Sequence, residues 1–161
     1  MKDKIAYKEG SDIPFTGVFG VVIDDKIESY EEYKNGLLDG ETAYFAKGKQ
    51  VKLLSEMYTK GKLNGQQKSY YENGKLKAEI IYNIMTNDEE GVIKNYDEKG
   101  VLMSEGRIVN DNMAGVWKHY DENGKKNYTY DFEKGIVIIY DEKGKAILQL
   151  SEKDLAERFQ E

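Results

Sequence analysis

Along most of this chain apolar and aromatic positions alternate with polar ones at a spacing of two, the period of a strand with one buried face, as in "VWKHY" at 116–120 and "LKAEIIY" at 76–82. The alternating runs are short and are separated by glycine-containing turns. Glycines at 40, 65, 91, 115 and 135 each open a segment, at spacings of 25, 26, 24 and 20 residues. Five residues after each stands an aromatic: Phe45, Tyr70, Tyr96, Tyr120 or Tyr140. Nine residues after the last four stands a second glycine, Gly74, Gly100, Gly124 or Gly144, and the Gly40 segment has Gly48 one position early. A third signal closes the segments, as in "YKNGLLDG" at 33–40 and "YTKGKLNG" at 58–65. Repetition at a fixed period is the mark of an array of equivalent supersecondary units. Gly17 opens a first, degenerate copy in which "IDDK" at 23–26 replaces the turn.

The recurring turns read "YYENGK" at 70–75, "YDEKGV" at 96–101, "YDENGK" at 120–125 and "YDEKGK" at 140–145. Aspartate suits the first turn position because its carboxylate bonds the backbone ahead, and glycine takes the left-handed conformation that ends a type I turn with a bulge. Each segment is therefore a β-hairpin. Regular pairing outward from Asp121 and Lys125 sets Tyr120 against Lys126, Lys118 against Tyr128 and Val116 against Tyr130 on one face. Trp117, His119, Asn127, Thr129 and Asp131 then fall on the other. The same register groups Tyr70, Leu76, Ala78, Ile80 and Tyr82, then Tyr96, Leu102 and Ile108, then Ile136, Ile138, Tyr140, Leu148 and Leu150.

The predicted fold class is all-β: an extended antiparallel meander of about six stacked hairpins, with a short C-terminal helix. The whole of 1–161 is read as one repeat domain, with a lead-in segment at 1–16, hairpin repeats at 17–150 and the helix at 151–159. The helix is signalled by the capping box of Ser151 and Asp154 and by the Leu155/Phe159 pair, and is expected to cover the open edge of the last strand or the end of the apolar face.

Composition narrows the functions such an array can serve. Thirteen tyrosines, five phenylalanines and one tryptophan in 161 residues supply a core, but 39% hydrophobic against 34% charged residues makes it a thin one. Twenty-four basic and thirty acidic residues leave a net charge of −6, which repels phosphate backbones and anionic lipid. Nucleic acid and membrane surfaces are thus poor partners. Without cysteine there is no disulfide, thiolate nucleophile or cysteine metal site. Apolar runs such as "GIVIIY" at 135–140 are far too short to span a bilayer as a helix. The opening "MKDKIAYKEG" has no apolar leader, which reads either as a cytoplasmic protein or as a mature form whose leader was removed.

Residues with potential chemistry have plainer explanations. The acidic pairs Asp97-Glu98, Asp121-Glu122 and Asp141-Glu142 are what the turns require, and no calcium-type loop accompanies them. Lys68, Lys94 and Lys118 share one register position, where their stems would lie over tyrosine rings. His119 is the sole histidine, read as a surface residue between turns, and no serine–histidine–aspartate spacing or phosphate-loop glycine pattern occurs. No catalytic residue, metal site, cofactor or small-molecule substrate is predicted.

The pattern "GVWKHYDENGKKNYTYDF", with "YYENGKLK" and "YTKGKLNG", resembles the variant class of MORN repeats in bacterial proteins of the YwqK antitoxin-like family, over about residues 11–150. The resemblance implies a hairpin-repeat sheet and a protein-interaction role, since related chains include proposed antitoxins paired with secreted toxins and exported proteins. "YKEGSDIPFTG" at 7–17 looks like the start of exported members, favouring a periplasmic or surface location over a cytoplasmic one. The connection at 82–91, "YNIMTNDEEG", is longer than the pattern, and "FEKG" at 132–135 is shorter.

The function expected is a non-catalytic protein-binding module, antitoxin-like, with a basic toxin as one form of partner; the alternative is an exported structural or surface protein without a single cognate partner. Candidate contact residues are Tyr70, Tyr96, Tyr120 and Tyr140 as rigid aromatic anchors, and on the other face Trp117 with Ile93 and Val137 beside it in register. A tryptophan so placed is either a small second core or an exposed anchor.

Overall fold

The computed structural model describes residues 5–83 and 90–158. The architecture is the all-β meander the pattern predicts. The chain divides into two compact units, Met1–Ile81 and Tyr82–Glu161. Strands β1 (Gly17–Ile23), β2 (Lys26–Lys34), β3 (Leu37–Phe45), β4 (Lys52–Thr59), β5 (Lys62–Tyr70) and β6 (Leu76–Asn83) are joined by tight turns, each antiparallel to the one before. In the second unit β7 (Glu90–Tyr96), β8 (Leu102–Val109), β9 (Asn112–Tyr120), β10 (Lys126–Asp131), β11 (Ile136–Tyr140) and β12 (Ala146–Ser151) do the same. Helix α1 (Glu152–Arg158) follows β12. Most of the 82–91 connection, residues 84–89, lies outside the described residues, as does Phe159.

Two kinds of turn recur. At Asp97, Asp121 and Asp141 the Oδ1 atom accepts the amides two and four residues ahead, at 2.8–2.9 Å. Gly100, Gly124 and Gly144 close these turns with φ of 92°, 75° and 77°. Tyr71 takes the aspartate's place in one copy, where Asn73 Oδ1 accepts the Lys75 amide instead. Four other connections are two-residue turns with both φ positive, Asp24-Asp25, Asn35-Gly36, Lys60-Gly61 and Asn110-Asp111, while β10 passes to β11 through residues 132–135, where the Gly135 amide donates to Asp131 O. Those are primed turns, whose twist matches the strands they join.

The register departs from simple alternation at two recurring places: at Glu32, Met57 and Gly106, each of which faces three residues of the next strand, and just inside each strand that returns from a glycine-closed turn. Tyr120 pairs with Lys126 as expected, but His119 pairs with Tyr128 and Lys118 with Thr129, so Asn127 is an extra residue in β10. Leu53, Lys77, Met103 and Ile147 are skipped in the same way one residue into their returning strands. A bulge of one residue sends everything beyond it to the opposite face. Tyr128 and Tyr130 therefore share the face of Trp117 and His119, not that of Tyr120. By the same slip Ala78 and Ile80 oppose Ser69 and Gln67 rather than lying with Tyr70, Ile108 opposes Gly91 on the face of Ile93, and Leu148 and Leu150 oppose Ile139 and Val137.

The interior is thin, as the composition predicts. Ala43, Ala46, Ile108, Trp117 and Leu150 are the buried hydrophobics among the described residues. At the start of the first unit, residues 5–16 fold over the Asn35-Gly36 turn: the Ala6 amide donates to Gly36 O, and Gly36 N to Phe15 O. A side chain at Gly36 would meet Ile5 at 2.4 Å, so this close approach requires glycine. β1 pairs only with β2 among the described strands, and its Val18, Phe19 and Val22 are exposed. At the other end Ser151 and Asp154 form the predicted capping box, with the Ser151 amide and hydroxyl both donating to Asp154 Oδ2 at 2.7 Å.

Candidate protein-binding faces

In the second unit Ile93 lies opposite Gly106, Trp117 opposite Tyr130, and Tyr130 opposite Val137. This row brings Trp117 together with Ile93 and Val137, as the sequence register has it. The indole lies over Gly106, where an added Cβ would come within 2.3 Å of its ring. Its Nε1–H donates to the Arg107 carbonyl at 3.0 Å, and only 2% of the residue is exposed. Of the two expectations for Trp117, this placement is that of a small core.

Other rings extend that core. His119 is not a free surface residue: it stacks on Tyr128 at 4.3 Å and 9°, and Tyr130 meets Phe132 edge-on at 4.4 Å. Burial lowers the His119 pKa, since desolvation penalises the imidazolium.

The opposite face carries Tyr96, Tyr120 and Tyr140, half-buried near their turns. Glu105 Oε1 accepts both Lys118 Nζ and the Tyr120 hydroxyl at 2.8 Å. Lys118, then Tyr120, lower the carboxyl's pKa. The Lys126 ammonium sits 3.6 Å from the Tyr140 ring centroid. Lys118 is thus held by a carboxylate rather than laid over a tyrosine. In the first unit Tyr70 is likewise half-buried, opposite Leu76. Among the described residues no group of three acidic or histidine side chains is arranged to hold a metal, and the turn aspartates use their oxygens on the backbone.

The first unit holds a constellation that the sequence pattern does not announce. On one face Glu41 Oε1 accepts Lys52 Nζ at 2.7 Å and the Ser55 hydroxyl at 2.6 Å, with Tyr30 bonded to the same carboxylate. Burial alone would raise the Glu41 pKa, but these partners, Lys52 first, bring it below its ordinary value. On the other face Glu31 lies opposite Thr42, and Thr42 opposite Glu56, which in turn lies opposite Gln67. Tyr33 donates to Glu31 at 2.6 Å, while Tyr58 at 3.0 Å and Gln67 at 2.6 Å donate to Glu56. Burial, then these carboxylates, push Tyr33 and Tyr58 each up to about 12. Thr42 Oγ1 is buried without a hydrogen-bond partner. A shallow groove of about 200 Å³, lined by Leu54, Gln67, Ser69, Ala78 and Ile80, continues along this face.

The two faces, the glycine turns and the hairpin spacing invite comparison with known repeats. Segments 63–83, 89–110 and 113–134 match the sequence profile of the MORN repeat variant. Such repeats are generally non-catalytic modules that bind proteins or membranes. The matched segments run from β5 to just past β10, so they include Tyr70, Tyr96, Tyr120 and Trp117 but not Tyr140, Glu31, Thr42 or Glu56. No curated protein matches the chain. Among solved structures it is similar to a chain in the crystal structure of the GtfA/B complex bound to UDP and GlcNAc, at 12% identity and a TM-score of 0.26. That likeness covers 97% of this chain and spans 30% of the other.

Proposed function

We propose that this chain is a non-catalytic protein-binding module whose partner is basic, in the manner of an antitoxin that holds a toxin. The observation that carries the reading is the match of three hairpin segments to a binding-type repeat, in a chain of net charge −6. Negative charge of that size steers a basic partner toward the sheet and disfavours nucleic acid and anionic lipid. The contact surface proposed in the second unit is the tyrosine face of Tyr96, Tyr120 and Tyr140, with Tyr70 in the equivalent place in the first. These rings are half-buried and flanked by fixed charges, so they offer apolar area at little entropic cost. Trp117, Ile93 and Val137 act from the other side, by holding the strands that present them.

The test is affinity capture with the purified chain from lysate and envelope fractions of its source, followed by co-expression. A stoichiometric basic protein whose toxicity the chain relieves supports the reading. Capture of no protein from either fraction, or of a partner indifferent to tyrosine-to-alanine changes at 96, 120 and 140, contradicts it.

A further inference from the structure

We propose that the face of the first unit holding Glu31, Thr42 and Glu56 is a receptor for a lysine ammonium of a protein partner, with the adjoining groove taking an apolar side chain beside that lysine. The inference rests on the protein-binding reading and gives it a site and a partner chemistry.

Charge is the first reason. Three other half-buried glutamates are matched to cations: Glu41 to Lys52, Glu105 to Lys118 and Glu90 to Arg107. Among the described residues neither Glu31 nor Glu56 has an ion-pair partner, although both are half-buried and stand in one row. Their bonds are to the neutral donors Tyr33, Tyr58 and Gln67. These donors orient the carboxylates and leave their charge uncompensated.

Thr42 is the second and independent reason. It stands between the two glutamates in register, is 3% exposed, and its hydroxyl oxygen has no partner. A buried polar group without a partner is uncommon in a folded protein, and this one lacks a partner among the described side chains. Glu31 and Glu56 are two strand spacings apart, about 9.5 Å at the backbone. A cation above Thr42 is then within reach of both.

The chemistry of the site selects the cation. Calcium and magnesium take six or more oxygen ligands, most of them carboxylate, carbonyl or water. Two carboxylates and one hydroxyl among tyrosine rings instead match the three N–H donors of an ammonium, and Tyr44 on the same face adds a ring for it. Burial, and then the carboxylates of Glu31 and Glu56, raise the Tyr44 pKa, so the ring stays neutral at physiological pH. Leu54 stands two residues before Glu56 on the same face, which puts the apolar groove directly beside the carboxylates.

The experiment is an NMR titration of the full chain with n-butylammonium, with n-butanol and calcium as comparison solutes, in wild type, Thr42→Val and the Glu31→Gln/Glu56→Gln double variant. The expected result is saturable shifts at the amides of residues 31, 42, 44 and 56 with n-butylammonium alone. Affinity falls about tenfold or more in the double variant, as for loss of charged hydrogen bonds. Thr42→Val also weakens binding while its Tm stays at or above that of wild type, which a purely structural threonine would not do. Shifts that do not saturate, binding unchanged in both variants, or saturation by calcium in place of the ammonium overturn the proposal. Saturable ammonium binding with no protein captured would retain the receptor and remove the protein-binding reading; a captured partner indifferent to both variants would do the reverse.

Discussion

At the scale of single residues, Trp117 and Gly106 form a matched pair: the indole occupies the space where Gly106 has no side chain. Trp117→Ala is expected to cost about 3–5 kcal/mol, as for other large-to-small core changes. Gly106→Ala, which pushes a methyl group into the ring, should cost about 1–3 kcal/mol. Urea unfolding measures both. His119 adds a pH signature. Its folded-state pKa is depressed by burial, so the unfolded chain binds more protons in mild acid. Its contribution to stability is complete above about pH 6.5 and is lost as pH falls through that value toward the lowered one. Thermal melts between pH 7 and 5 should show this slope in wild type and lose it in His119→Phe. Tyr33 and Tyr58 act at the alkaline end. Their pKa values of about 12 lie above the ordinary value of 10, so their contribution is complete below pH 10 and disappears as pH rises toward 12. Glu31→Gln, which removes the carboxylate facing Tyr33, should flatten that alkaline loss in melts followed by circular dichroism.

At the scale of elements, the turns were legible because they are written in residues with a single conformational purpose. Asp121 and Gly124 together specify the turn, and the structure uses them as the sequence implies. Asp121→Ala removes the carboxylate that accepts the Asn123 and Lys125 amides and is expected to lower stability by about 1 kcal/mol in urea unfolding. The bulges were not legible. Leu53, Lys77, Met103, Asn127 and Ile147 share a position but no residue type, and none is a glycine. Strand periodicity was therefore read correctly while the facing of each returning strand was inverted beyond its bulge. Deleting Asn127 would restore simple alternation and expel Tyr128 and Tyr130 from the Trp117 core. The deletion should lower stability more than Asp121→Ala does and abolish the near-ultraviolet aromatic signal. The Glu31–Thr42–Glu56 row was hidden for a related reason. Its members are 11 and 14 residues apart in sequence, and only the register of three strands sets them side by side.

At the scale of the molecule, the two units divide the proposed work. The first presents uncompensated carboxylates beside an apolar groove, and the second a tyrosine face rimmed by paired charges above an aromatic core. Both arrangements are held by hairpins whose turns and backbone bonds require nothing of the exposed face, which leaves that face free to be chosen for a partner. No helix among the described residues is long and apolar enough to cross a membrane. If acidic strands recognise a basic protein through charge, the affinity of the captured partner across a salt series, for wild type and for the Glu31→Gln/Glu56→Gln variant, reads it out. Affinity should fall steeply as salt rises, with a weaker, shallower dependence in the variant. Affinity that is independent of salt and equal in the two proteins would contradict it.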